Sequence, residues 1–166
     1  MTTVHWEFIA ACLREELADY GCLLGLFEQQ QQHLFERNPG AVLQLGQEIE
    51  AQARRLGECR IRREEAVASF AAAHGQPASS TLRSLLPFVE ADARPLLEAL
   101  ITEVNVLLHR VRRTSRHNHA LLARAVAIHQ ETLQVIRPNS FTRTYSAAGR
   151  VAVAAAHPPS TLRVAG

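Results

Sequence analysis

The sequence predicts an all-α protein, an elongated antiparallel three-helix bundle or coiled coil that ends in a flexible C-terminal tail. Three observations carry that prediction. Apolar residues recur every seven positions, without a phase break, from Leu96 to Ile136. Hydrophobic residues make up 47% of the 166-residue chain, many of them alanine, while aromatics reach only 5%, which is the composition of long helices. No alternating run of β-branched and aromatic residues, bounded by turn signals, stands out as a strand.

The bundle is expected over residues 1–137 and the tail over 138–166. In the first helix, about 4–37, Trp6, Ile9, Leu13, Leu17, Tyr20, Leu24, Phe27 and Leu34 step by three or four, and Thr2 or Thr3 is placed to cap it. Asn38-Pro39-Gly40 then interrupts the pattern, as a turn that reverses the chain or as a bend in one arm. The second helix, 39–74, rests on Val42, Leu45, Ile49, Leu56, Cys59, Val67 and Phe70, with Gly75 as its stop. After the linker Gly75 to Ser80, Ser80 can cap a short helix at 81–86 that Pro87 ends. The last helix, 93–136, has Pro95 in its first turn. With Leu97 at heptad position a, that position continues through Val104, Val111, Asn118, Ala125 and Thr132, and position d reads Leu100, Leu107, Thr114, Leu121, Ile128 and Val135. Six heptads make a helix roughly 60 Å long with one face that needs a partner. The tail has no acids, weak periodicity and Pro158-Pro159, so it is expected to be mobile until a partner orders it.

Charge and cysteine content exclude several classes. A net charge of +2 is too small to mark a nucleic-acid binder. No acid lies between Glu103 and Glu131, however, so the middle of the last helix (Arg110, Arg112, Arg113, Arg116, Arg124) is basic. Pairing with Glu48, Glu50, Glu58, Glu64 and Glu65 of the second helix, or with an acidic protein surface, is the expected use of that band. All 18 basic residues are arginine, a bias that GC-rich coding explains more simply than function. Cys12, Cys22 and Cys59 lack metal spacing and form an odd set, which fits a reducing cytoplasm. No basic start with an apolar run and no 18-residue apolar stretch is seen, so neither a cleaved signal nor stable membrane insertion is expected.

No catalytic set emerges, and no enzyme, cofactor or metal is expected. His117-Asn118-His119 is not a metal site, because helix positions i and i+2 point about 200° apart. Glu15-Glu16 and Glu64-Glu65 read as wet helix faces. Thr114, Ser115 and Asn118 put a polar layer into the apolar seam. An asparagine at position a fixes register at a cost in stability, and the same layer is alternatively a place where another chain enters.

Two stretches resemble a known family. Arg113-Thr114-Ser115-Arg116-His117-Asn118-His119-Ala120-Leu121-Leu122 is similar to the part of the last helix of FlgN-type flagellar export chaperones that carries an asparagine before a Leu-Leu pair. Thr144-Tyr145-Ser146-Ala147-Ala148-Gly149-Arg150 resembles the family's tail, in which a tyrosine precedes Gly-Arg. The resemblance implies a cytoplasmic chaperone that holds the C-terminal helix of hook-associated (filament-junction) proteins, prevents premature assembly and delivers them to the type III export gate without chemistry of its own. It makes Tyr145, Gly149 and Arg150 candidates for the gate contact. It also makes Leu121, Leu122, Ile128 and Val135 candidates for the cargo groove. The competing reading is a self-associating coiled-coil scaffold whose spare apolar face is covered by another copy of the chain.

Overall fold

Between the first two long helices the chain reverses, and three consecutive residues do it. The computed structural model describes residues 5–136, 141–145 and 151–155. Helix α1 (Trp6–Phe35) ends with Arg37 in the left-handed region at φ 56°, so that the Asn38 N–H reaches back to the His33 carbonyl at 3.0 Å. Asn38 then caps helix α2 (Pro39–Ala73), its Oδ1 accepting from the Ala41 N–H at 3.2 Å, with Pro39 in the first turn. Cross-helix bonds fix the direction. The Gln52 Nε2 donates to Asp19 Oδ1 at 2.8 Å and the Cys59 thiol to the Cys12 carbonyl at 3.6 Å, so partners move up α1 as the chain moves down α2. The alternative of a bent continuous arm is thereby set aside.

The other boundaries follow local chemistry. His5 sits at the cap position of α1 without a side-chain bond, and the expected caps Thr2 and Thr3 lie outside the described residues. Gly75, at φ 66°, lets the Gln76 N–H return to the Ala71 carbonyl at 2.8 Å and stops α2. Thr81, not Ser80, caps the short helix α3 (Leu82–Leu85), because its Oγ1 is the one within reach of the Ser84 N–H, at 3.2 Å. A 3₁₀ turn over Leu86–Phe88 follows. Helix α4 (Arg94–Ile136) is entered under the control of Arg94, whose Nε donates to the Val89 carbonyl and whose terminal nitrogen donates to the Pro87 carbonyl, both at 2.9 Å.

The chain divides into two compact units, Met1–His119 and Ala120–Gly166. In the first, one hydrophobic core joins Ile9, Leu13, Tyr20 and Leu23 of α1, Leu56, Val67 and Phe70 of α2, Leu85 and Leu86, and Leu97, Leu100, Val104 and Val111 of α4. The heptad a positions of α4 within that unit are all buried, Leu97 completely. The all-α class therefore holds for the long packed helices. Glu15-Glu16 does not hold as a wet face: Glu15 is exposed, but Glu16 is fully buried, one turn from Leu13 on the same stripe, and the Arg63 guanidinium of α2 binds it.

In the second unit, the expectation of a chain without strands is corrected. Strands β1 (Phe141–Tyr145) and β2 (Val151–Ala155) pair antiparallel, with Phe141 opposite Ala155 and Tyr145 opposite Val151. Thr142, Thr144, Tyr145, Val151 and Val153 favour extended backbone, and ladder hydrogen bonds supply what the weak apolar alternation does not advertise.

The cysteines give a direct check on the packing of α1 against α2. Cys12 and Cys59 are buried and Cys22 is exposed. Burial pushes the Cys59 thiol up to about 11 and raises the Cys12 thiol as well, so neither forms appreciable thiolate near pH 8. We expect a thiol reagent at pH 8 to modify Cys22 rapidly in the native protein, and Cys12 and Cys59 only after denaturant is added. Three thiols of equal native reactivity would contradict this packing.

Candidate functional site

Helix α4 changes character along its length. Up to Asn118 its seam is closed: Asn118 is 1% exposed, and its Nδ2 donates to the Phe27 carbonyl of α1 at 2.7 Å and to Gln30 Oε1 at 3.2 Å. Its own Oδ1 has no hydrogen-bond partner among the described residues. The two other polar residues of the layer, Thr114 and Ser115, are half-buried, and Thr114 Oγ1 donates to the Arg110 carbonyl of its own helix at 3.0 Å. A buried amide that bonds a backbone carbonyl ninety-one residues earlier matches only one alignment of α4 on α1. His117 and His119, on either side of it, are exposed.

Beyond that layer the apolar pattern continues but its burial does not. Leu121, Leu122 and Ala125 are half-buried. Ile128 is 53% exposed, Val135 83% and Ile136 67%, and Val126 and Leu133 on the adjoining flank are also exposed. Helical spacing puts these residues on one broad side of α4, the d, a, e and b positions of the heptad. Single exposed apolar residues need no explanation, whereas a continuous exposed stripe marks an interaction surface. Its backbone is fully helical, so a partner meets a preformed surface.

The remaining sequence candidates fall elsewhere. Tyr145 closes β1 opposite Val151. Gly149 and Arg150 lie outside the described residues. Two features escaped the sequence reading. One is the Glu16–Arg63 pair, hidden because the Glu15-Glu16 doublet resembles a solvated face; its signal was the position of Glu16 between Leu13 and Tyr20. The other is Gln52, 2% exposed, which occupies an apolar rung of α2 and reaches the Asp19 carboxylate. The expected pairing of the α4 arginines with acids of α2 is corrected too. Among the described residues, the α2 acid that forms an ion pair is Glu64, and its partner is Arg60 of the same helix.

No helix among the described residues is long and apolar enough to cross a membrane. In comparison with known proteins, the model of the FlgN protein family matches residues 5–152. No curated protein and no solved structure matches the chain.

Proposed function

Because the chain belongs to the FlgN family, a membership that suggests a role in flagellar export, we propose that it is a cytoplasmic export chaperone for hook-associated proteins. It binds their C-terminal helices, prevents premature assembly and delivers them to the type III export gate, performing no chemistry itself. The observation that carries the cargo half of this reading is the apolar stripe of α4 that runs from half-buried Leu121 to exposed Val135 and Ile136. An amphipathic helix laid on it finds anchors at Leu121, Ala125, Ile128 and Val135, the i, i+4, i+7, i+14 pattern of helix-on-helix recognition. Each large side chain taken out of water contributes roughly 1.5–3 kcal/mol, offset by the cost of ordering the partner, which keeps affinity within the range a delivery chaperone can release. Asn118 acts in this scheme as the register pin that ends the closed seam where the open stripe begins. Tyr145, with Gly149 and Arg150, serves as the gate contact.

The same stripe also suits a second copy of the chain, so the test must separate cargo from self. Light scattering of the purified protein, alone and mixed with the C-terminal helix of a hook-associated protein from the same organism, does so. We expect a monomer that becomes a one-to-one complex. A stable oligomer that ignores the peptide would replace the chaperone with a coiled-coil scaffold.

A further inference from the structure

On the flank of α4 facing Gln31 of α1, the guanidinium groups of Arg113 and Arg116 border an open groove completed by Thr114 and His117, with a volume of about 590 Å³. Every residue of its lining belongs to the first unit. None of those residues is a hydrophobic one, and two guanidinium groups stand on the rim.

Among the described residues, no carboxylate pairs with the cations of this flank. All 16 carboxylate side chains of the chain lie among the described residues. The ion pairs they form engage His33, Arg60, Arg62 and Arg63, and no arginine of α4. Along α4 the nearest acid before Arg113 is Glu103, about 15 Å away at the helical rise, which exceeds the screening length of roughly 8 Å at physiological ionic strength. Arg110, Arg113 and Arg116 meanwhile follow at intervals of three, each within one turn of the next, where like charges repel. The opposite wall is neutral. Gln30 is engaged by Asn118 and Gln32 by Glu36, which leaves Gln31 to the groove.

We infer that this flank docks an acidic helix of a partner protein, whose carboxylates are paired by Arg110, Arg113 and Arg116 while Gln31 hydrogen-bonds beside them. Charge complementarity names the occupant's sign, and spacing names its form. Arg110, Arg113 and His117 follow one another at i, i+3 and i+7, so their heads recur at the interval at which glutamates recur on one face of a second helix. Guanidinium forks match carboxylates two bonds at a time. A nucleic acid fits the sign but not the surface, because the groove has no Phe, Tyr or Trp ring to serve as a base-stacking platform. The inference does not rest on the export reading, since it uses no residue of the apolar stripe.

The test is fluorescence anisotropy with the full-length protein and three labelled probes. The first is a helical peptide of about 20 residues on an alanine–glutamine background with all its glutamates on one face. The second has the same composition with the glutamates spread around the helix, and the third is a thymidine oligonucleotide of equal charge. We expect the one-face peptide to bind about tenfold tighter than the spread peptide. We also expect added salt to weaken it, and Arg113→Gln with Arg116→Gln to weaken it by about tenfold, while circular dichroism of the variant stays that of the parent, as exposed positions require. Three results would overturn the assignment: equal affinity for the two peptides, an affinity indifferent to the double substitution, or tighter binding of the oligonucleotide. Failure of the cargo peptide in the scattering experiment would leave it standing.

Discussion

Replacing Arg63 with methionine is expected to destabilise the fold by about 3–5 kcal/mol, because it strands a carboxylate in the core. The Glu16 side chain is 1% exposed and that of Arg63 21%, and the Arg63 Nε donates to Glu16 Oε1. The second oxygen, Oε2, is buried with no hydrogen-bond partner among the described residues, so the ion pair is the main compensation the carboxylate has. Exchanging both partners, Glu16→Met with Arg63→Met, removes the charge along with its partner and should recover most of the loss. Such apolar replacements of buried pairs are often neutral or stabilising. One residue along each helix the same chemistry has a different context. Arg62 donates to Glu15 at 2.9 Å, but both side chains are about half exposed and screened by water, so Arg62→Ala should leave stability nearly unchanged. Urea unfolding of the four proteins, with slopes compared to confirm a common denatured state, measures all of this. Equal effects at Arg62 and Arg63 would mean that Glu16 is solvated.

That contrast also shows which parts of the molecule sequence reasoning reaches. The core face of α4 was legible because a helical period of seven leaves little freedom: Leu97, Val104, Val111 and Asn118 are buried as the heptad requires. The reversal at Asn38 was half legible. Asn and Pro announced a cap and a first turn, but the residue that turns the chain is Arg37, whose positive φ no glycine foretold. Everything that depends on the alignment of two helices was beyond reach until the reversal was known. Glu16 and Arg63 lie at similar distances from the turn, which is a register statement and not a local one. The arginines of α4 illustrate the same limit from the other side. Five acids of α2 were available on paper, and the fold pairs none of them with α4. The strands 141–145 and 151–155 were missed because pairing is non-local and alanines dilute the alternation that would have signalled it.

Ile128→Asp combined with Val135→Asp is expected to abolish partner binding, with at least about a hundredfold loss in affinity, while leaving the free protein as stable as before. The two halves of that expectation come from one observation. At 53% and 83% exposure these side chains contribute little to the core, so thermal melting should move by no more than about 0.5 kcal/mol equivalent. In a complex the same positions become anchors, and a carboxylate there must be desolvated against the apolar face of the bound helix, at several kcal/mol for an unpaired charge. Residues of the closed seam cannot separate folding from binding in this way: Val111, 6% exposed in the core, would lose both together. Titration of the variant with the cargo peptide, beside its melting curve, therefore reads the stripe alone. Unchanged affinity would move the cargo site off α4. A parent protein that is oligomeric and a variant that is monomeric would instead assign the stripe to self-association, because the surface that receives a cargo helix and the surface that receives a second copy are made of the same residues.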